Sequence, residues 1–505
     1  MQKQSFAKGA VILMAANAVS KLLGAGFKIP LTYILREEGM AVYNTAFSVY
    51  IMFLAFVVSG IPTAVSKAVA QSDERGAFRI TDCSEKVLLG LGTAASAALY
   101  FGAPFFALAM KEENAVLAIR LVSPSILLVA LGTGCKSFFH GSSSMNVPAI
   151  SQVAEAAVKL AAGYILAVLM LGMGRAAAAA GAIAGVTVGE LIATGILAGG
   201  YIIARRKTRV KATKEERRES LRELLSVAVP LLLAEAALNA VSVTDTSVLR
   251  TRLLVSGLSA DESRFLYGAF SGYAMTVFNL PVGIMGTIGI SLLPAVASAF
   301  ADGNKIRAQA QLHKGIEMTL FISVPSAVML WLIPDEILKL LFRNTSSALM
   351  LRYMAPCVVT VSIVQLLSAV IQACGRVVLP SMTDIFGLLI KIAIMWKLCA
   401  MPQFNIYGTV IGSNAAYIII VIADVIALKI MTGMRTGIMR GLIKPCLASA
   451  AMAAVVIYAM RYCSGGMTEI IAVCGIGGAV YLLVWFLEGK IIAMFTEKKI
   501  VTVQL

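Results

Sequence analysis

Charged side chains are scarce in this sequence. Asp, Glu, Lys and Arg make up 14% of its 505 residues, whereas soluble proteins usually carry about 25%. Several windows of roughly twenty residues, the length needed to cross the hydrocarbon core of a bilayer, contain almost no charge. This scarcity excludes a soluble globular protein and indicates a polytopic helical membrane protein.

Histidine is almost absent, and paired cysteines are missing. The two histidines, His140 and His313, fall in segments that we predict to be cytoplasmic loops, so neither a histidine metal site nor a histidine base is supported. The eight cysteines are scattered without CxxC or metal-ligand spacing, and we interpret them as buried apolar thiols. We therefore expect no metal and no other cofactor.

Acidic residues are fewer than basic ones, 27 against 43, which gives a formal net charge of +16. A basic chain can indicate nucleic-acid binding, but this charge is spread over loops without aromatic platforms, so we expect no nucleic-acid partner. About 27 of the 43 basic residues fall in loops on one side of the membrane and about 8 on the other. The positive-inside rule therefore predicts that both termini are cytoplasmic. We expect the basic loops to contact anionic membrane lipids.

The apolar segments predict an all-α fold with about fourteen membrane-spanning helices. The first apolar run follows Lys3 and Lys8 and reaches Leu35, which is too long for a cleaved signal peptide, so we interpret it as the first span. The predicted spans are 7–34, 44–70, 87–110, 117–139, 148–171, 178–204, 224–252, 266–299, 315–341, 349–373, 380–400, 406–430, 442–461 and 469–494.

The two halves of the chain repeat one pattern. Asn17-Ala-Val-Ser20 recurs as Asn239-Ala-Val-Ser242, at an offset of 222 residues, and from Pro62 onward the offset is 232. Spans 1–6 thus match spans 7–12, and both halves begin on the same side of the membrane. Such a parallel duplication is typical of a two-lobed transporter. The aligned pairs are Lys28 with Arg250, Pro62 with Pro294, Pro124 with Pro356, Pro148 with Pro380 and Lys159 with Lys391.

The repeat also predicts the domain organisation. We expect an N-lobe over residues 1–204, a basic cytoplasmic linker over 205–223, a C-lobe over 224–431, and a C-terminal helix pair with its tail over 432–505. Glycines and prolines are concentrated in span 8 around Pro281. They favour a hinge for alternating access, although both residues are common in membrane helices.

Five of the cations inside predicted spans are candidates for a binding site, since a charge at mid-bilayer costs at least ~2.5–3.5 kcal/mol. Lys21 and Lys28 lie two helical turns apart on nearly one face of the first span. The repeat aligns Lys28 with Arg250 and Lys159 with Lys391. This symmetric recurrence favours a cationic cavity, and snorkelling or internal pairing of each residue is the alternative.

Polar neighbours of these cations are further candidates. Glu155 lies four residues before Lys159 and is a possible ion-pair partner, so Lys159 either pairs with it or faces the cavity. Neutral side chains such as Gln152 and Asn239 suit contacts to sugar. Asp245, the deepest acid of span 7, is a candidate site for a coupling ion, and a salt bridge to Arg250 or Lys28 is the alternative. It has no acidic counterpart in the first half, so ion coupling is expected in the second lobe.

Several motifs resemble the multidrug/oligosaccharidyl-lipid/polysaccharide exporter superfamily. The resemblance covers essentially the whole chain and is strongest to the polysaccharide biosynthesis branch, the stage V sporulation protein B and lipid II flippase type. The motifs are Ser20-Lys-Leu-Leu-Gly24, Tyr43 with Tyr50, Ser59-Gly-Ile-Pro-Thr-Ala-Val-Ser-Lys67, Pro148-Ala-Ile-Ser-Gln-Val-Ala-Glu155, Asp245-Thr246, Leu280-Pro-Val-Gly283 and Leu293-Pro294.

The resemblance implies two six-helix lobes in a V around a cationic cavity. It implies a non-enzymatic flippase that moves an undecaprenyl-pyrophosphate-linked saccharide, either a lipid II-like peptidoglycan precursor or a polysaccharide repeat unit. Movement would be by alternating access across the bacterial cytoplasmic membrane. The two C-terminal helices would form a groove for the lipid tail. We expect a monomer, and roles in sporulation and in vegetative wall synthesis are both compatible with the sequence.

The resemblance also assigns site residues. It maps the cationic cavity residues onto Lys21 and Lys28 and the span 7 acid of a sodium site onto Asp245. Lys391 and Met395, however, stand where an amide and an acid are expected. The driving force could therefore be Na⁺, H⁺ or the membrane potential alone.

Two other functions are weighed against the flippase. A cation-coupled multidrug exporter of the same superfamily should favour acids and aromatics over cations in its spans. A membrane glycosyltransferase would need catalytic acids in an extended outer loop, and the longest outer loop, Val255–Arg264, has about ten residues.

Overall fold

The computed structural model describes residues 6–58, 61–142, 144–206, 246–301, 303–376, 378–463 and 466–503. Within these ranges the chain is almost entirely helical and contains no β-strand. Asn239, Asp245 and most of the predicted basic linker 205–223 lie outside the described residues. The all-α polytopic fold predicted from the sequence is confirmed.

Sixteen helices follow one another along the described ranges. Short 3₁₀ turns precede α4 and follow α5, and a π turn, Phe270–Ala274, joins α8 to α9. The helices are α1 Phe6–Val58, α2 Ile61–Gln71, α3 Glu74–Ala109, α4 Val116–Gly141, α5 Asn146–Met170, α6 Arg175–Arg205, α7 246–255, α8 Ala260–Ala269, α9 Met275–Ala301, α10 Lys305–Leu332, α11 Pro334–Phe342, α12 Ala348–Ala373, α13 Val378–Leu398, α14 Tyr407–Thr432, α15 Ile438–Met460 and α16 Met467–Val503.

Eleven helical stretches of the described residues are long and apolar enough to cross a membrane. One of these stretches, Ala15–Ala55, contains most of predicted span 1 and the first part of predicted span 2. None of the eleven corresponds to predicted span 7 or 8. The count of fourteen therefore stays a prediction, whereas α4, α5, α6, α12, α13 and α14 match predicted spans to within about three residues.

Two predicted boundaries are wrong. The break between the first two spans is a single residue, Arg36, with φ 50° and ψ −163°, rather than a loop over 35–43. Within the predicted second span 44–70, α1 is described to Val58 and α2 from Ile61, with residues 59–60 outside the described ranges, so the continuity of this span stays a prediction. The predicted ninth span continues past Leu332, but Pro334 opens a separate short helix, where its missing N–H removes no helical hydrogen bond.

The histidines are also placed differently from the prediction. His140 lies in the last turn of α4 and His313 lies within α10, so neither is in a loop. Within the described ranges, no three His, Cys, Asp or Glu side chains are grouped closely enough to hold a metal ion.

The glycine- and proline-rich segment around Pro281 is helical. Helix α9 runs unbroken from Met275 to Ala301, and the local departure from α geometry is the π turn before it. Single π turns of this kind are frequent at functional sites. The hinge itself stays a prediction, and its best structural candidate is Phe270–Ala274 rather than Pro281.

The helix bounds follow the predicted repeat closely. Pro124 and Pro356 are each eight residues past the start of α4 and α12. Lys159 and Lys391 are each 13 residues past the start of α5 and α13. The duplication therefore places these two lysines at the same depth of corresponding helices.

The chain divides into two compact units. Unit 1 comprises Met1–Gly272 and Cys399–Ile406, and unit 2 comprises Tyr273–Leu398 and Tyr407–Leu505. In unit 1, α4 packs against α1, α2, α3 and α6, and α5 pairs with α6. In unit 2, α12 packs against α9, α10 and α14, while α15 contacts α10 and α16. The lobe boundaries predicted from the repeat stay a prediction.

Close packing of α5 on α6 depends on glycines that lie beside Lys159. A Cβ on Gly185 would collide with the backbone of Gly163 and lie 3.1 Å from the carbonyl oxygen of Lys159. A Cβ on Gly189 would lie 3.1 Å from the Cβ of Lys159. The small residues let the two backbones approach, as is common between membrane helices, and so fix the position of Lys159.

We expect Gly185→Ala to force α5 and α6 apart and to destabilise the protein by about 1–3 kcal/mol, as overpacking usually does. The matched control is Gly195→Ala on the same helix, where an added Cβ has no heavy atom within 4 Å. This control should be neutral or stabilising by ~0.5–1 kcal/mol, because alanine is the better helix former. Melting temperatures of the purified proteins in detergent measure both effects, and equal values would contradict the packing argument.

Candidate functional site

Two of the predicted cations lie together in unit 1. Lys28 on α1 and Lys159 on α5 are both half-buried and close enough for their charges to act on each other. The Lys159 Nζ lies 5.5 Å from the centroid of the Phe47 ring, over its face, and this cation–π contact partly offsets the cost of burying the ammonium group. Within the described part of the chain, neither lysine forms an ion pair.

The expected partner of Lys159 lies beside a second carboxyl group. Glu155 and Glu190 on α6 are close enough for their charges to act on each other, and Lys159 lies within electrostatic reach of Glu190. Lys28, Lys159, Glu155 and Glu190 therefore form one group of ionisable side chains in unit 1.

A cavity of about 360 Å³ lies beside this group, between α1, α2, α4, α5 and α6 of unit 1. Its polar lining includes the predicted contact residue Gln152. The Gln152 Nε2 donates a hydrogen bond to Asn17 Oδ1 on α1, and the Ser20 hydroxyl donates to the Gln152 carbonyl oxygen at 3.2 Å. The other titratable side chains of the lining are Lys136, His140, Glu155 and Glu190.

The remaining predicted lysines lie elsewhere. Lys21 is exposed on α1, seven residues before Lys28. Lys391 belongs to unit 2, where it lies on α13 within electrostatic reach of Cys357 on α12. Its carbonyl oxygen would lie 3.0 Å from a Cβ on Gly412, so α13 and α14 pack closely at this point.

Arg250 lies in a buried ionic cluster of unit 1. Its side chain is 2% exposed, and its Nη1 lies 2.6 Å from Oε2 of Glu112, which is 0% exposed. Arg264 also contacts Glu112, with its Nε 3.0 Å from both carboxylate oxygens, and pairs with Asp261. The Arg250 guanidinium lies 5.6 Å from the Tyr267 ring centroid.

The Glu112 carboxylate compensates the charge of Arg250, so a ligand is not needed for this. The sequence left cavity lining and internal pairing open for Arg250, and internal pairing is what the geometry shows. Lys28 and Arg250 occupy equivalent positions in the repeat, but their surroundings differ. The substrate-binding role of Arg250 stays a prediction without a contact to support it.

Sequence reasoning gave no role to several residues that define these sites. Glu112 lies in a short segment before α4, where an acid looks like an ordinary loop residue. Glu190 was visible as an acid in the apolar α6, but nothing in the spacing placed it near Glu155. Pairings between distant helices of this kind depend on packing that one sequence does not reveal.

Unit 2 contains a larger cavity of about 1030 Å³ between α10, α14, α15 and α16. Its basic lining residues are Arg435, Arg440 and Lys444, with His313 beside them and Glu317 as the acid. The rest of its wall is largely apolar. We call it the C-terminal cavity.

The lining of the C-terminal cavity is ordered by specific contacts. Lys444 Nζ lies 5.9 Å from the Trp485 ring centroid, and His313 Nε2 lies 2.8 Å from the Arg435 carbonyl oxygen. The apolar wall includes Ile422 and Val425 of α14. An elongated ligand with an apolar chain and an anionic end matches this combination.

Comparison with known protein families finds two overlapping matches. Residues 6–300 match the family described as polysaccharide biosynthesis protein, and residues 269–396 match the MatE family. Together the two matches extend over most of the helices described above.

Two relatives from Bacillus subtilis strain 168 align over most of the chain. Stage V sporulation protein B is 25% identical over 423 residues, covering 82% of this chain and 81% of the relative. Lipid II flippase MurJ is 24% identical over 518 residues, covering 94% of each chain.

Solved structures share the fold. The lipid II flippase MurJ in an inward closed conformation superposes with a TM-score of 0.74 at 14% identity, covering 96% of this chain and 100% of that chain. A multidrug resistance MATE family transporter of the MOP superfamily in an inward-facing conformation superposes with a TM-score of 0.68 at 15% identity, covering 84% and 98%. At these identities the likeness shows the architecture and not the substrate.

We expect Arg250→Ala to destabilise the protein by about 3–5 kcal/mol, because it leaves the buried Glu112 carboxylate without its main partner. Arg264→Ala should cost less, since Arg264 is 22% exposed. Thermal unfolding of the purified variants measures both costs. Combining Arg250→Ala with Glu112→Ala should recover part of the loss, and a double variant whose costs simply add would argue against the pairing.

Proposed function

The chain belongs to the polysaccharide biosynthesis protein family, and we propose that it is a flippase for an undecaprenyl-pyrophosphate-linked saccharide. It is a multi-pass membrane protein with the transporter fold of the MOP superfamily. The cargo that we propose is a lipid II-like peptidoglycan precursor or a polysaccharide repeat unit, moved across the cytoplasmic membrane by alternating access.

The observation that carries the proposal is the placement of Lys28 beside Lys159. Two ammonium groups close together repel each other, and no described ion pair compensates either of them. A pyrophosphate would compensate both, since its oxygens accept charge-assisted hydrogen bonds from each lysine. The half-buried setting strengthens that attraction, because the local dielectric constant is lower than in water.

The neighbouring polar groups suit the saccharide part of such a cargo. Gln152, Glu155 and Glu190 line the unit 1 cavity with amide and carboxyl groups. Lys136 at the same cavity adds a further cation.

The C-terminal cavity suits the lipid part. Its apolar wall can hold an isoprenoid chain, and its basic residues favour a phosphate near one end. Because the cavity lies among helices of unit 2 alone, this part of the proposal does not depend on the lysine pair of unit 1.

The driving force is also part of the proposal. Asp245, the predicted site for a coupling ion, lies outside the described residues, so its role stays a prediction. Na⁺, H⁺ and the membrane potential are the candidates, and the anionic cargo gives the potential a direct effect.

We expect Lys28→Ala and Lys159→Ala each to lower flipping of lipid II about tenfold or more, which corresponds to losing one charge-assisted contact of ~1.5–3 kcal/mol. The measurement is accessibility of lipid II at the outer surface of cells depleted of their own flippase and expressing the variant. Lys305→Ala, at an exposed position that opens α10, is the matched control and should retain activity.

Lys28→Arg should keep more activity than Lys28→Ala, because it preserves the charge. Full activity of both alanine variants, at normal membrane levels, would refute the role of the lysine pair. Efflux of cationic dyes without any flipping of lipid II would instead favour the multidrug exporter.

The C-terminal cavity gives a second test on helix α14. Ile422→Trp should fill part of the cavity and lower flipping severalfold, since a tail of fixed volume could no longer enter fully. Ile418→Trp is the control, because Ile418 lies one turn earlier, is similarly exposed (49% against 53%) and does not line the cavity. Equal activity of the two tryptophan variants would argue against a tail-binding role.

A further inference from the structure

A carboxyl group that the proposed mechanism does not use is buried in unit 2. Asp424 on α14 is 0% exposed, although it lies eight residues before the end of its helix, about 12 Å along the axis. Its Oδ1 lies 2.8 Å from the Thr383 hydroxyl on α13. Its Oδ2 is buried and has no hydrogen-bond partner among the described residues.

The contacts of Thr383 favour a proton on Asp424. The hydroxyl lies 2.9 Å from the carbonyl oxygen of Pro380 and 2.8 Å from Asp424 Oδ1, and both distances are those of hydrogen bonds. A hydroxyl has one proton to donate, and a carbonyl oxygen has none. If Asp424 were ionised, both contacts would share this one proton in a three-centre bond. A protonated Asp424 gives each contact a proton of its own, because Thr383 can then donate to Pro380 and accept from Asp424.

The surroundings of Asp424 favour the same state. Asp384 on α13 is near enough for its charge to act on Asp424, and a second negative charge disfavours ionisation. Helix α14 packs against α12 and α13. The other titratable groups on these three helices are Arg352, Tyr353, Cys357, Lys391, Lys397, Tyr407, Tyr417 and Lys429.

The side chains whose charge or hydrogen bond acts on Asp424 are Thr383 and Asp384, with no cation among them in the described ranges. Arg352 lies near the start of α12 and contacts Asp335. Lys391 and Lys397 lie eight and fourteen residues beyond Thr383 on α13, and Lys429 is exposed in the last turn of α14.

We propose that Asp424, held by Thr383 and faced by Asp384, is an intramembrane proton-binding site. The site goes beyond the proposed function, because a proton on Asp424 does not depend on which cargo the protein carries. Its ligand is H⁺ itself. Asp384 is a positioning residue that favours proton uptake through its charge.

The test is infrared spectroscopy of the full-length protein reconstituted in lipid vesicles. At pH 7, where an exposed aspartate with a pKa of ~3.9 has lost its proton, the wild-type spectrum should contain a carboxylic-acid C=O band that Asp424→Asn removes. If the difference between wild type and Asp424→Asn shows carboxylate bands instead, Asp424 is ionised and the proposal is overturned.

Two further variants keep the test independent of how well Asp424→Asn folds. Thr383→Val removes the hydroxyl at nearly constant shape, so the C=O band of Asp424 should shift in frequency and persist. Asp384→Asn removes the neighbouring charge, so this band should disappear at a lower pH than in the wild type. A carboxylic-acid region unchanged by both variants at every pH would refute the assignment.

Discussion

The hydrocarbon core of a membrane imposes one constraint on every ionisable side chain inside it: its charge must be compensated or removed. Three ionisable side chains of the described ranges differ in how this constraint is met. Arg250 has a carboxylate partner in Glu112, at 2.6 Å. Lys159 has an aromatic ring and lies beside a second cation, Lys28. Asp424 has a hydroxyl partner in Thr383, and its charge is removed in the proposed proton-binding site. The proposed functions of the three residues follow from these differences.

The constraint also explains how the two halves of the repeat have diverged. Lys159 and Lys391 occupy the same position in α5 and α13, and the offset of 232 continues through the neighbouring residues. Glu155 then aligns with Gly387, and Gln152 aligns with Asp384. Unit 1 therefore has its carboxyl groups within a turn or so of its lysine, whereas unit 2 has them two turns away. Duplication preserved the backbone and the lysine, while substitutions around it changed the chemistry.

Much of the fold could be predicted from the sequence, because long apolar runs have few alternatives in a membrane. The helical class and the family were predicted correctly, and six helices lie close to their predicted bounds. The errors occurred where the signal is a single residue. Arg36 breaks α1 at one residue of the charged segment Arg36-Glu-Glu-Gly39, where a longer loop was predicted, and Pro334 separates α11 from α10.

The site was less predictable than the fold. The repeat identified Lys28 and Lys159 as unusual, but it paired Lys28 with Arg250 by position, whereas the structure brings Lys28 near Lys159 on another helix. Glu112 and Arg250 are 138 residues apart, and no periodicity connects such residues. Helix packing decides which cation lies beside an acid. Packing in turn depends on small residues, such as the glycines beside Lys159, as well as on the charges.

In the proposed mechanism, fixed lysines bind the anionic cargo and the membrane potential supplies the energy to move it. Moving one elementary charge through the membrane potential is worth ~2.3 kcal/mol per 100 mV. With the inside negative, an anionic pyrophosphate moved outward releases that energy for each of its charges over a complete cycle, because any lysine charge that moves outward with the cargo moves back inward on resetting. In the proposed mechanism the potential therefore supplies energy without a coupling ion. The proposed proton on Asp424 is then not needed to hold the cargo, and we expect it to make the cycle sensitive to pH.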